Sequence, residues 1–565
     1  MMRGVPASPG LAAGPARVSA AGAVDADARH GGDEAAERAR AAAALAAAGA
    51  ELEATASSLR AGAHGAEAEI VEAGALMALD PALSAEVDAG VGAGFTAAAA
   101  IVRATGKYAD TIAALEDPNL AARADDVLSF GRRASRLATL DGAAPPSEIP
   151  AAGAIVVADD LGPADVADLQ DVAAVALAGG GPTAHAAIVA RSLGVPMVVG
   201  LGTDLLAIAG GTPLVVDGAT GDVLVDPDRD LVHNARAQMA VAAARRRRQS
   251  ADAALPAVTR DGVRVRVLTN AAGPAEVDVG LAAGAEGVGL LRTELAFLDS
   301  DSWPTRGQHA ALLDAIDAPL VTVRLLDFGG DKTPPFLRGV PERGIALLLA
   351  HPDALAAQLD AIGGRIRAGR GAVRVLIPLI ASADQVDAVR AALPAGAQVG
   401  AMVETPEAAG IAPALAQRCA FLSVGTNDLT NATLGTDRFN ANASVAHHPR
   451  VLAEIRRAAQ AAHAAGIPIE VCGEAASDPV AMPMLVGLGV DELSVGAARV
   501  GAVRAWVRAL DAGQARDLAQ RALRCVEPGA VADLVRAELG GRLDEAGEEL
   551  GEPVDGGRRV GAVGP

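Results

Sequence analysis

The sequence predicts a multidomain α/β protein: a small α/β domain interrupted by a helical insertion, a long helix, and a C-terminal (β/α)8 barrel. Three observations carry this reading. Eight strand-like runs recur after residue 260. An Ala-, Glu-, Asp- and Arg-rich block over 33–142 has helical spacing. Short apolar runs closed by Gly, Pro or Asp follow that block from 151, and a stretch of strands and turns precedes it.

The N-terminal "GVPASPGLAAGPARVS" reads as strands and turns. From 151 the pattern resumes with "GAIVVADDLG", "VAAVALAGGG", "VPMVVGLG" and "PLVVDGATGDVLVDP". Residues 1–30 and 144–227 are therefore assigned to one α/β domain, and residues 31–143 to the insertion within it. Residues 228–256 contain a long polar helix whose four consecutive arginines suit a solvated face or a linker between domains. The barrel is assigned to 257–525. Its runs are "VRVRVLTN", "GVGLLRTE", "LVTVRLLD", "VRVLIPLI", "VGAMVETP", "FLSVGTND", "PIEVCGE" and "DELSV". Most lack alternation, as strands buried on both faces do. Residues 526–565 read as a C-terminal helix and a disordered tail.

At 565 residues and 51% hydrophobic, the chain is long enough for several domains with sizeable cores. A net charge of −21 excludes nucleic acid and anionic membrane as general partners, so an anionic substrate would need a local arginine cluster. Cys419, Cys472 and Cys525 form neither a metal knuckle nor a disulfide framework. The N-terminus lacks the apolar core of a signal peptide, and every long apolar run is broken by charge or glycine. The expected location is therefore cytoplasmic.

Barrel active sites lie at the C-terminal strand ends. Here these ends carry Asn270, then Arg292, Thr293 and Glu294, then Arg324 and Asp327, then Glu404, then Asn427 and Asp428, then Cys472 and Glu474. Glu404 and Asp428 suit a shared hard cation such as Mg²⁺, or structural pairing with arginines. Arg292 and Arg324 offer planar forks for phosphate or carboxylate, or ion pairs with Glu294 or Asp327. Arg343, Arg438 and Lys332 lie in loops and are either substrate ligands or surface charges. The set suggests a small phosphorylated carboxylate whose phosphoryl group is lost. Cys472 is then either inert packing or the acid that protonates the carbon left behind.

The stretch "GGGPTAHAAIVARSLGVPMVVG" places His185 in the first turn of a predicted helix, with Thr183 as N-cap and Gly194 as C-cap. The positive helix end disfavours a charged imidazolium and favours an attached dianion. A core histidine near a turn is the plainer alternative.

That stretch resembles the phosphohistidine motif of phosphoenolpyruvate (PEP)-utilising enzymes. The group includes enzyme I of the bacterial phosphotransferase system, pyruvate phosphate dikinase and PEP synthase. "GAEGVGLLRTELAFLD", "FGGDK", "MVETPEAA", "SVGTNDLTNATLGTDR" and "VCGE" are similar to the barrel motifs of the same group. "GVPASPGLAAGPA" is similar to the N-terminus of the enzyme I branch, and the domain order, with about 180 residues ahead of His185 where the dikinase and synthase place a large ATP-binding domain, leads to the expectation of that branch. The resemblance implies a PEP–protein phosphotransferase in which His185 is the phosphorylated nucleophile, supported by Thr183. It implies PEP held by Arg292, Arg324, Arg343, Asn427, Asp428, Arg438 and Lys332, Mg²⁺ on Glu404 and Asp428, and Cys472 as proton donor. It further implies transfer to the carrier HPr, docked near Glu67, Glu69, Glu72, Leu76, Met77 and Asp80, and a homodimer formed through the barrel. The chain departs from the family at Gly74, where a His is usual, at Ala346, where a second Arg is usual, and in a shortened segment near 446. A catalytically silent regulatory paralogue, a dikinase- or synthase-like enzyme without the ATP domain, and an oxo-acid lyase are the competing readings.

Overall fold

A computed structural model describes residues 1–18, 25–61, 65–114, 123–139, 153–167, 169, 172–182, 184–298, 300–329, 332–435 and 445–546. The chain divides into two compact units, Met1–Ala243 and Ala244–Pro565. The boundary falls inside the polar helix Arg229–Ala251 that the sequence predicted.

The first unit is built on an eight-stranded sheet. Its strands are Met2–Arg3 (β1), Val5–Ser8 (β2), Leu11–Val18 (β3), Ile155–Ala158 (β4), Ala174–Leu177 (β5), Met197–Val199 (β6), Pro213–Asp217 (β7) and Asp222–Val225 (β8). The order is β1-β8-β7-β3-β4-β5-β6-β2. Its centre, β3 to β6, is parallel, and β4 and β5 are buried along their whole length. Continuous apolar runs such as "IVVA" and "AVAL" follow from that two-sided burial.

Between β3 and β4 the chain leaves the sheet and forms helices Glu34–Ala61, Gly65–Ala75, Pro81–Gly92, Ala97–Ala113 and Ala124–Thr139. Alanine lets these helices approach closely: Ala97 to Ala100 and Ala104 are all buried with Ile101, Phe130 and Val91. Asp33 starts the first helix by accepting from the Ala36 N–H (3.0 Å), and Thr96 starts the fourth by accepting from the Ala99 N–H (3.3 Å).

The second unit is a closed barrel of eight parallel strands, each falling on one of the eight predicted runs and reaching at most one residue beyond it. They are Arg266–Ala271 (β9), Val288–Leu291 (β10), Leu320–Arg324 (β11), Ala372–Ile377 (β12), Gln398–Val403 (β13), Phe421–Val424 (β14), Ile469–Val471 (β15) and Glu492–Gly496 (β16). β16 pairs with β9 and closes the ring. The apolar core lies between strands and surrounding helices, with Val321, Val375, Val399, Leu422 and Trp506 fully buried. No single helix among the described residues is long and apolar enough to cross a membrane.

Candidate functional site

In the first unit, β5 runs into the glycine-rich turn at Gly179–Gly181, and His185 opens the helix His185–Leu193. Gly194 closes that helix at φ 67°, the left-handed cap expected from the sequence. The N-cap expectation needs correction. Ala184, not Thr183, occupies the cap position and supplies no side-chain cap bond. Thr183 itself lies outside the described residues. Among the described residues, no side chain caps the N–H groups of the first turn at Ala184, which suits an anion at this end.

The ring of His185 is not on its own. Its Nδ1 lies 2.8 Å from Oδ2 of Asp126, a residue 59 positions earlier in the first turn of Ala124–Thr139. Both side chains are largely covered, at 20% and 11% exposure. With Nδ1 as donor to that carboxylate, Nε2 keeps its lone pair. Nearby, Arg132 donates to Asp160 (2.9 Å), whose carboxyl is pushed up chiefly by burial. Asp126 carries no signal in the sequence, because the pairing joins two distant elements.

In the barrel, the sequence-predicted residues converge at one end. Arg324, at the end of β11, is buried and donates to Glu294, and it lies 3.3 Å from Asp327 in ion-pair range. These anions hold its guanidinium well above the ordinary range despite burial. Lys332 reaches the same Glu294 oxygen at 3.4 Å. The structural pairing weighed for Arg324 is thus present, yet its Nε has no hydrogen-bond partner among the described residues. Among those residues Arg292 Nε is likewise buried and unpartnered, as are Nε and Nη2 of Arg343. Arg343 packs over Gly329 at φ 129°, where an added Cβ would sit 2.4 Å from Arg343 Cγ. Three arginines therefore bring buried unmatched N–H groups to the barrel, the condition an oxyanion would relieve.

Glu404, after β13, accepts from the Leu379 N–H at 2.7 Å. Burial, then Asp327, pushes its carboxyl up to about 8, with Asp428 adding in the same direction. Glu404 and Asp428 follow the adjacent strands β13 and β14, but among the described residues no group of three or more His, Cys, Asp or Glu side chains is gathered to hold a metal ion. Asp428 and Asn427 lie in the first turn of the helix Thr426–Leu434. Asn427 Oδ1 accepts from the Glu474 N–H at 3.0 Å, tying the ends of β14 and β15 together.

Cys472 is buried beside Leu290, Leu376, Met402 and Phe421. The Ser423 hydroxyl donates to its sulfur at 3.2 Å. Burial holds its thiol far above the ordinary range, so it is a neutral S–H donor rather than a thiolate nucleophile. Asn270 turns out to be committed to structure: its Nδ2 donates to the carbonyls of Cys472 (3.3 Å) and Ser494 (3.2 Å). Arg438 lies outside the described residues.

On the helical insertion, Glu72 is paired with Arg60. Asp80 caps the helix Pro81–Gly92 and accepts from the Tyr108 hydroxyl at 2.8 Å, so its carboxylate is already engaged. The side chains of Glu67 and Glu69 lie outside the described residues. Leu76 is 62% exposed on a 3-10 turn, Met77 is half-buried, and Leu79, which the sequence reading passed over, is 74% exposed.

Comparison with known proteins follows the same division. Residues 246–512 match the "PEP-utilising enzyme, PEP-binding domain", 150–221 the "mobile domain" and 3–123 the "N-terminal" domain of that group. The chain is 38% identical over 557 residues to a phosphoenolpyruvate-protein phosphotransferase of Streptomyces coelicolor, covering 92% of this chain and 97% of that one. It is 39% identical over 483 residues to a multiphosphoryl transfer protein of Rhodobacter capsulatus, covering 80% of this chain. It spans 58% of that relative and 53% of a second multiphosphoryl transfer protein, from Xanthomonas campestris.

Proposed function

The chain belongs to the PEP-utilising enzyme family, and on that premise we propose that it is a PEP–protein phosphotransferase. It takes the phosphoryl group of PEP onto His185, releases pyruvate, and passes the group to HPr in the first step of phosphotransferase-system sugar uptake. One observation carries the reading. The chain combines a helix-start histidine bound at Nδ1 with a barrel end of unmatched arginine N–H groups, repelling carboxylates and a neutral thiol.

Each group then has a task. Arg292, Arg324 and Arg343, with Asn427, Lys332 and Arg438, bind the phosphate and carboxylate of PEP and orient it. Glu404 and Asp428 would hold Mg²⁺, which neutralises phosphate charge as the group departs. His185 Nε2 attacks the phosphorus, while Asp126 holds the proton on Nδ1 and stabilises the positive charge that grows on the ring. The first turn of the helix then receives the dianion. Cys472 gives its S–H proton to the methylene carbon of the enolate, which yields pyruvate. The Arg229–Ala251 helix, which joins the two units, serves as the linker on which the histidine domain moves between barrel and carrier. Leu76, Met77 and Glu72 belong to the carrier-facing surface of the insertion, with Glu67, Glu69 and Asp80 beside them. The functional form is a cytoplasmic homodimer joined through the barrel.

The half-reactions test these roles. His185→Ala abolishes phosphorylation by PEP and also back-transfer from phosphorylated HPr. Cys472→Ala loses only the first. Full pyruvate formation by Cys472→Ala would remove the acid assignment, and no pyruvate from the wild-type protein with PEP, Mg²⁺ and HPr would remove the function.

A further inference from the structure

One buried amide behind the barrel mouth has no part in the reaction above. The helix Pro352–Ala368 buries an apolar stripe at helical spacing, with Leu355, Leu359 and Ile362 covered. Gln358 stands in that stripe and is 1% exposed. A buried amide is costly unless its polar atoms find partners. Gln358 finds them on the ends of two barrel strands.

Its Oε1 accepts from the Leu326 N–H at 3.0 Å. Its Nε2 donates to Thr293 Oγ1 at 3.0 Å and, over a longer 3.4 Å, to the Arg324 carbonyl. The Thr293 hydroxyl donates in turn to the same carbonyl at 2.9 Å. The amide fits only one way round, because the Leu326 N–H can only donate and the Arg324 carbonyl can only accept.

The location of these bonds gives them their consequence. The last paired residues of β10 and β11 are Leu291 and Val323, so the ladder stops one residue short of Arg292 and Arg324. Beyond it, Thr293 and Gln358 join the two chains. The bonded groups are Arg324 itself, Thr293, which lies between Arg292 and Glu294, and Leu326, which precedes Asp327. Glu294 and Asp327 are the carboxylates that face the Arg324 guanidinium. One side chain on a surrounding helix therefore fixes the backbone under four charged groups of the barrel mouth. A guanidinium fork meets phosphate or carboxylate squarely only when its own backbone is held, and a displacement of about 1 Å at such a group costs about a hundredfold in rate.

We propose that Gln358 is a positioning residue for PEP: its amide, together with the Thr293 hydroxyl, locks the ends of β10 and β11 so that the Arg292 and Arg324 forks meet one substrate. This rests on the phosphotransferase reading above.

The test is steady-state pyruvate formation by the full-length protein with PEP, Mg²⁺ and HPr. Gln358→Met keeps the length of the side chain and removes its hydrogen bonds. It raises the KM for PEP and lowers kcat/KM about 10- to 100-fold, the scale of a misplaced binding group. Back-transfer from phosphorylated HPr to His185 keeps the wild-type rate, because that step does not use the barrel arginines. Thr293→Val, which removes the hydroxyl at nearly constant volume, shows the same rise in KM, and Thr293→Ser, which keeps the hydroxyl, retains most of kcat/KM. The double variant Gln358→Met/Thr293→Val loses less than the product of the two single losses, since both cut one network. A partly unfolded barrel lowers kcat alone, because the folded remainder keeps its KM. A fall in kcat with the KM for PEP unchanged in both Gln358→Met and Thr293→Val would thus make the role structural and overturn the proposal. Wild-type constants in both variants would overturn it too, as would a Thr293→Ser protein as impaired as Thr293→Val. Absence of pyruvate from the wild-type protein would defeat the phosphotransferase reading, and this proposal with it.

Discussion

Asp126→Asn removes the charge that holds His185 Nδ1 and leaves the volume of the side chain nearly unchanged. The interaction is a 2.8 Å contact between side chains that are 20% and 11% exposed. A hydrogen bond to a charged group contributes about 1.5–3 kcal/mol, and residual exposure favours the lower half of that range. At about 1.4 kcal/mol per factor of ten, the loss is about 10- to 50-fold in the rate at which His185 accepts a phosphoryl group. The asparagine can also offer its amide N–H to Nδ1, which would place the ring proton on Nε2 and block attack. The assay is rapid-quench phosphorylation of the protein from PEP, alongside back-transfer from phosphorylated HPr. Because Asp126 acts on the histidine and not on either donor, both rates fall by a similar factor while the KM for PEP holds. A loss confined to one half-reaction, or no loss in either, would refute the argument that this bond sets the reactive nitrogen.

Three further outcomes follow from the same geometry. Gly289→Ala forces a Cβ against Ser494 and Glu470, so barrel stability drops by about 1–3 kcal/mol. Urea unfolding followed by tryptophan fluorescence reads the barrel alone, since Trp303 and Trp506 are the chain's two tryptophans. His309 is buried against Phe297, and its imidazole is pushed down to about 4 by burial. Below pH 6.5 the unfolded chain takes up a proton that the folded barrel refuses, so stability falls as pH drops from 6.5 to 4, by about 3 kcal/mol in all. His309→Leu flattens that slope in the same fluorescence measurement. Replacing exposed Leu76 and Leu79 together with Asp raises the KM for HPr about tenfold, the scale of two moderate interface anchors, and leaves phosphorylation by PEP unchanged.

The barrel was legible because two-sided burial writes continuous apolar runs, and because polar residues collect where those runs end. His185 and Gly194 were legible from local helix chemistry. Asp126 was not, because it meets His185 only after the insertion folds back onto the sheet. Gln358 was passed over for a related reason: an amide on an apolar helix stripe carries no sign of its partners until the helix packs against the strand ends. The N-cap shifted by one residue, from Thr183 to Ala184, because backbone conformation and not residue preference fixes where a helix begins. Leu79 went unnoticed because a single exposed leucine has no pattern in sequence. The ion pairs of Arg324 with Glu294 and Asp327 follow the alternative to substrate binding, yet among the described residues its Nε is left without a partner.

The central claim is that His185 carries the phosphoryl group. Incubation with PEP and Mg²⁺ followed by mass-spectrometric mapping under conditions that preserve phosphohistidine tests it directly. The account predicts a single phosphoryl group on the peptide containing "GGGPTAHAAIVAR", at His185, with pyruvate formed in equal amount. A phosphoryl group on any other residue, or pyruvate formed with no phosphorylated histidine, would contradict it.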